Sequence, residues 1–147
     1  MDEPVRAFLD ENHSAAMITL RADGTPHVAR VGVALVDGKV WSSGTQQRLR
    51  TKHLRRDPRS SLFVFDPAWR WLGLECAVTI LDGPDAPELN LQLFRVMQGK
   101  PEGSIVWMGT ERSREDFLHV MAEEQRLIYE FDVRRAYGMY GGMPAGR

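Results

Sequence analysis

Residues 15–42 read AAMITLRADGTPHVARVGVALVDGKVWS, and this stretch decides the fold class. Residues 15–21 are a short, mostly apolar run, Asp23-Gly24 is a turn dipeptide, and Thr25-Pro26 begins the return. Residues 27–36 are rich in β-branched side chains, with Val31, Val33 and Leu35 on one face. Asp37-Gly38 is a second hairpin signal, and KVWS at 39–42 follows it. Three strands joined by two tight turns make an antiparallel meander. A doubly wound parallel sheet would alternate strands with helices from the start, so this opening excludes it.

Working outward, Pro4 stands at a first helical turn behind Asp2 and Glu3, and Val5, Phe8 and Leu9 follow at helical spacing. Residues 46–56 are helix-compatible until Asp57-Pro58 stops them. SSLFVF at 60–65 and WLGLECAVTIL at 71–81 read as two further strands. A loop over 82–87 hands over to a helix at 88–98, and 99–109 read as irregular. Ser113, with Asp116 three positions on, caps another helix. LIYEFDV at 127–133 alternates like a closing strand, and the tail from 137 to 147 is glycine-rich. Five to six strands with helices late in the order predict a mainly β (α+β) domain, a small antiparallel barrel spanning residues 1–147.

The 147 residues carry 19 Lys+Arg against 20 Asp+Glu, a net charge of -1, which argues against a surface built throughout for nucleic acid. Hydrophobic residues make up 43% and charged residues 27%, so the chain is not of disordered composition. The lone Cys76 excludes an internal disulfide and a cysteine-cluster metal site. No apolar run approaches the roughly 18 residues that span a bilayer. The acidic, amphipathic N-terminus does not read as a signal peptide, so a cytoplasmic location is the expectation.

Near-neutral totals hide a local field. RLRTKHLRRDPR at 48–59 holds six basic residues and one acid, directly after Ser42-Ser43-Gly44-Thr45. A helix N-terminus beside hydroxyl side chains, with arginines in its first turns, suits an anion such as a phosphate. The same segment also reads as a solvated basic helix face, or as a contact to nucleic-acid phosphates. The four histidines lack metal-ligand spacing, so no metal is expected. Trp69 and Trp71 in WRW read as packing or as an aromatic wall for a flat ligand. Tyr137 and Tyr140 are candidate proton donors, stacking groups or anchors for the tail.

The assembled signals LRADGTPHVARV, VDGKVWSSGTQQRLRTKHLRRDPRSSLFV, WRWLGLEC and VRRAYG resemble a known family. It is the split β-barrel flavin- and deazaflavin-binding proteins related to pyridoxamine 5′-phosphate oxidase, and within these the mycobacterial-type F420-dependent oxidoreductases. The resemblance implies about six antiparallel strands, peripheral helices, and a homodimer with the cofactor in a groove between subunits. It implies that Ser43, Arg48, Arg50 and Lys52 hold the cofactor's phosphate end, and that His27, Ala29, Arg30 and Val31 lie against its ring. It places Trp69 and Trp71 at the groove and Tyr137 near the segment closing over it; solvent, Tyr137 (the catalytic candidate) and Arg30 are the alternatives for protonating the product. The cofactor expected is coenzyme F420, with FMN as the alternative; six positive charges suit a multiply anionic tail better than a single phosphate. The expected activity is hydride transfer from reduced F420 to a flat, conjugated, electron-poor small molecule such as a quinone, enone or tetrapyrrole. An FMN-binding oxidase-like protein, or a non-catalytic F420-binding or storage protein, are the alternatives. Two departures stand out. Glu75-Cys76 occupies a position where relatives often have glycine after the strand glutamate, and the tail is longer and richer in glycine.

Overall fold

The computed structural model describes residues 1–141. In chain order the elements are α1 (Glu3–Glu11), β1 (Ser14–Leu20), β2 (Pro26–Val36), β3 (Lys39–Thr45), α2 (Leu49–Arg56) and β4 (Arg59–Phe65). There follow β5 (Trp71–Leu81), α3 (Ala86–Gln98), β6 (Ile105–Trp107), β7 (Thr110–Arg112), α4 (Arg114–Glu123) and β8 (Arg126–Met139). The meander forms as expected: β1 pairs antiparallel with β2, and β2 with β3. At its second turn Asp37 (φ 52°) and Gly38 (φ 79°) are both left-handed, the two-residue geometry that matches the right-handed twist of a hairpin.

Six strands close a barrel in the order β1-β2-β3-β8-β5-β4, with β4 returning to β1. Its interior is filled by alternate residues of each strand, among them Met17, Leu62, Leu72, Leu74 and Tyr129, all essentially inaccessible. One end is plugged by α1, whose Val5, Phe8 and Leu9 are buried at the spacing read from the sequence. Truncating Phe8 there would cost about 3–5 kcal/mol. Outside the barrel, α3 packs Leu93 onto Ala34, Trp41 and Ile128. A satellite core joins α3, β6 and α4 through Leu91, Ile105, Trp107, Phe117 and Met121.

Three expectations are corrected. The helix read over 46–56 begins at Leu49, because Gln46 and Gln47 are taken up by contacts to Gln125, just before β8. The stretch 99–109, read as irregular, contains β6, which pairs with β7 as a separate hairpin. The closing strand runs to Met139, well past 133, because the register on β5 shifts between Glu75 and Cys76. Arg134 is the extra residue, and a bulge resets the inward–outward alternation that the sequence pattern had followed.

The barrel is not laddered all round. Pairing of β2 with β3 runs only from Val36↔Lys39 to Val33↔Ser42, so residues 26–32 of β2 have no partner on that side. Beyond Ser42, β3 continues on β8 alone. The two strands diverge, and α2 lies in the opening between them.

Candidate anion and cofactor site

The seating of α2 in this opening uses three inward side chains, Thr51, His53 and Leu54. Thr51 donates its single hydroxyl hydrogen to the Thr45 carbonyl at 2.7 Å. Its oxygen lies 2.5 Å from the Tyr129 hydroxyl, which must therefore be the donor of that second bond. Tyr129 fits because Gly44 has no side chain: a Cβ there would lie 2.2 Å from the phenol oxygen. On the other flank, His53 Nδ1 sits 2.9 Å from Thr19 Oγ1 of β1.

This seating aims the start of α2 at solvent with no internal cap. Arg48 occupies the N-cap position, and its side chain makes no capping bond. A guanidinium can only donate, so it cannot serve the free amides of the first turn, and its charge opposes the helix dipole. Such an arrangement favours an external anion.

The six basic residues of 48–59 divide sharply. Arg55 is paired with Asp82 (3.0 Å) and Arg59 with Asp57 (2.8 Å), while Arg56 donates to the Leu20 carbonyl. The Arg59 hydrogen bonds hold the Asp57 carboxyl down at about 2. These three cations fasten α2 and its exit to the barrel. Arg48, Arg50 and Lys52 have no acidic partner among the described residues. Arg48 and Lys52 stand four positions apart and share the outer helix face.

Arg50 is the decisive member. Its Nε is buried without any hydrogen-bond partner, and its guanidinium lies 5.8 Å from the Tyr129 ring centre. Burial pulls this group below the usual arginine range; Tyr129 opposes the shift, and the repulsion of Arg48 and Arg126 adds to it. A half-buried cation surrounded by cations and lacking a carboxylate is costly unless an anion joins it.

Arg126 is the residue that sequence reading missed. Its Cζ lies 4.8 Å above the Trp107 ring, its Nε is 3.0 Å from Glu124, and its Nη1 is 3.5 Å from Ser43 Oγ. It joins the cluster because β8 pairs with β3, placing Arg126 opposite Thr45. No local pattern in EEQRLIYE signals this; only the strand pairing does. An open pocket lined by Thr45, Arg48, Leu49, Glu123, Glu124 and Arg126 results, in which two carboxylates stand beside the two arginines. Ser43 donates to Asn90 Oδ1 of α3 at 2.5 Å, so it presents a lone pair to this site and has no free hydrogen for a phosphate. A second concavity lies where α1 meets β8; there Lys39 is already paired with Glu130 at 3.1 Å.

The residues expected against a ring divide by face. The registers Thr19↔His27, Met17↔Ala29 and Ala15↔Val31 turn those three β2 side chains into the barrel, whereas Arg30, opposite Ala16, turns outward. Val33 directs both backbone groups toward β1, donating to the His13 carbonyl and accepting from the His13 ring. By the alternation of a strand, Val28 and Arg30 turn theirs to the open edge. On the outer surface Arg30, Ala16, Phe63, Gly73 and Tyr137 form one row across five strands. Trp71 stacks on Phe63 at 5.4 Å and meets Tyr137 edge-on at 6.1 Å. The Tyr137 ring covers Gly73, where a Cβ would lie 2.8 Å from it. Trp69 stands apart, 59% exposed on the β4–β5 loop that Asp66 pins through Ala68 and Arg70.

Fold and site together define a split β-barrel with a cluster of arginines, Arg48, Arg50 and Arg126, at its seam. The chain belongs to the pyridoxamine 5′-phosphate oxidase family, whose sequence pattern matches residues 1–114. Over 121 residues it is 30% identical to an F420H2-dependent biliverdin reductase of Mycobacterium tuberculosis, covering 76% of this chain and 85% of that one. Its fold is similar to that of a conserved hypothetical protein of Mycobacterium tuberculosis, with a TM-score of 0.73 at 21% identity over 100% of this chain and 91% of the other. A solved F420 reductase gives a TM-score of 0.66 at 19% identity, over 92% and 98% of the two chains.

Proposed function

We propose that this chain is an F420-dependent reductase whose cofactor is anchored by its phosphate at the start of α2. The observation that carries this reading is Arg50: a half-buried guanidinium with a buried, unpartnered Nε, flanked by Arg48 and Arg126 and by no acid of its own. Similarity to the biliverdin reductase supports the choice of F420. The donors present suit the group, since its phosphate, lactate and glutamate carboxylates can meet Arg50, Arg48, Lys52 and Arg126 in turn. When bound, reduced F420 supplies the hydride.

The protein's own residues then bind, orient and exclude water. The open backbone edge of β2 at Val28 and Arg30 offers hydrogen bonds to ring heteroatoms. Through that edge His27, Ala29, Arg30 and Val31 can border the ring although three of their side chains point inward. Phe63, Trp71 and Tyr137 provide a flat apolar surface for a conjugated substrate, and the half-exposed Tyr137 hydroxyl is the proton donor to the product. The same face is the homodimer interface in this reading, with Trp69 reaching the partner's groove.

The family match favours one other reading, an FMN-bound protein of pyridoxamine 5′-phosphate oxidase type. Titrating the purified protein with F420 and with FMN, following tryptophan fluorescence, separates the two. About micromolar or tighter F420 binding, with oxidation of F420H2 by quinones or enones, is expected. Binding of FMN alone overturns the cofactor assignment. Binding of F420 without turnover of any acceptor identifies a carrier.

A further inference from the structure

The anion site depends on how firmly α2 sits in the barrel opening, and one inward side chain there is titratable. His53 is 8% exposed and projects from the middle of α2 between β1 and β2. Its ring meets the His27 ring edge-on at 5.2 Å, and its Nδ1 meets Thr19, itself fully buried. His27 Nδ1 is buried with no partner.

The groups facing His53 are all neutral or cationic. From β1 come Thr19 and, just past its end, Arg21; from β2 comes His27; from α2 itself comes Arg56. The nearest acid in sequence, Asp57, is occupied by both the backbone and the side chain of Arg59. Among the described residues, no acid in the seat compensates a positive charge on His53.

We propose that His53, packed against His27, forms a proton-sensitive latch for α2: neutral, it seats the helix and its arginines, and its protonation loosens the helix and opens the anion site. Burial lowers the proton affinity of His53, and the repulsion of His27, Arg56 and Arg21 lowers it further. A base whose affinity for protons is lower when docked binds more protons when undocked. Docking is therefore fully favoured above the ordinary histidine value of about 6.5 and weakens as pH falls below it. The loss levels off once pH has passed the depressed native value. Protonation also fixes Nδ1 as the donor to Thr19, so that nitrogen can no longer accept from the Thr19 hydroxyl.

The latch itself is independent of which cofactor binds; only its effect on release rests on the proposed function. The test uses the full-length, cofactor-free protein. Histidine ring titration by NMR should place His53 below about 6.5. Amide protection factors over α2 should fall more than about tenfold between about pH 7 and about pH 5, while β5 and β8 amides hold. His53→Gln should abolish that pH dependence, and His27→Phe should shift the His53 titration upward. A His53 titration at or above the ordinary value, or α2 protection that follows the barrel's at every pH, overturns the latch. In parallel, calorimetric affinity for F420 and for FMN should weaken over the same interval. Loosening of α2 with both affinities unchanged upholds the latch and overturns the placement of the cofactor.

Discussion

At the scale of single residues, the chain shows how a charge without a partner marks a function that a paired one does not. Arg55 and Arg59 each have a carboxylate within 3.0 Å, whereas Arg50 has none and keeps a buried Nε unbonded. Replacing Arg50 by Met removes a desolvated cation and keeps the stem that packs beside Tyr129. The thermal midpoint without ligand should therefore stay equal or rise, while affinity for F420 or FMN falls more than about tenfold. Differential scanning fluorimetry and calorimetric titration read the two effects separately, and a fall in both would assign Arg50 a structural role. Gly44 is a purely steric case. An alanine Cβ would meet Tyr129 Oη at 2.2 Å, Cζ at 2.3 Å and Cε2 at 2.6 Å. Gly44→Ala should cost about 3 kcal/mol by urea denaturation, and Tyr129→Phe should not rescue it because the ring carbons remain.

At the scale of elements, α3 is more than a cover for the barrel. Its buried Asn90 accepts from Ser43 and donates back to the Ala86 carbonyl at 3.0 Å, linking the helix start to the strand that leads into α2. Asn90→Ala strips Ser43 of its acceptor and should lower stability by about 1–3 kcal/mol, measured by chemical denaturation. It also frees the Ser43 hydroxyl, so cofactor affinity should be kept or slightly improved. The elements were unequally legible in the sequence. The meander could be read because its turns carry Asp-Gly and its strands are β-branched and partly alternating. Helix α4 could be read because Ser113 caps it, accepting from the Asp116 amide at 3.1 Å. The end of β8 could not, since the bulge at Arg134 breaks the period on which such a reading depends. Nor could the start of α2, whose first residue is set by Gln46 and Gln47 engaging Gln125, a contact about eighty positions away along the chain.

At the scale of the whole molecule, the outer sheet face leaves Val28 62%, Phe63 41% and Tyr137 40% exposed, a surface suited to a second copy of the chain. In the proposed homodimer, Phe63→Glu should halve the mass observed by sedimentation velocity while the circular dichroism spectrum is retained. An unchanged mass would move the interface elsewhere. Sequence by itself determined that this is a mostly antiparallel β protein with one strongly basic segment, since hydrophobic period, turn dipeptides and charge count are all local properties. Only the tertiary structure decided which cations of that segment are available to a ligand. It brought Arg126 to them from the far end of the chain, and it turned His27, Ala29 and Val31 inward while Arg30 faces out. The physical reason is that strand pairing joins residues distant in sequence. Arg55 and Arg59 so meet carboxylates, Arg50 meets none, and Arg126 joins it while also pairing with Glu124.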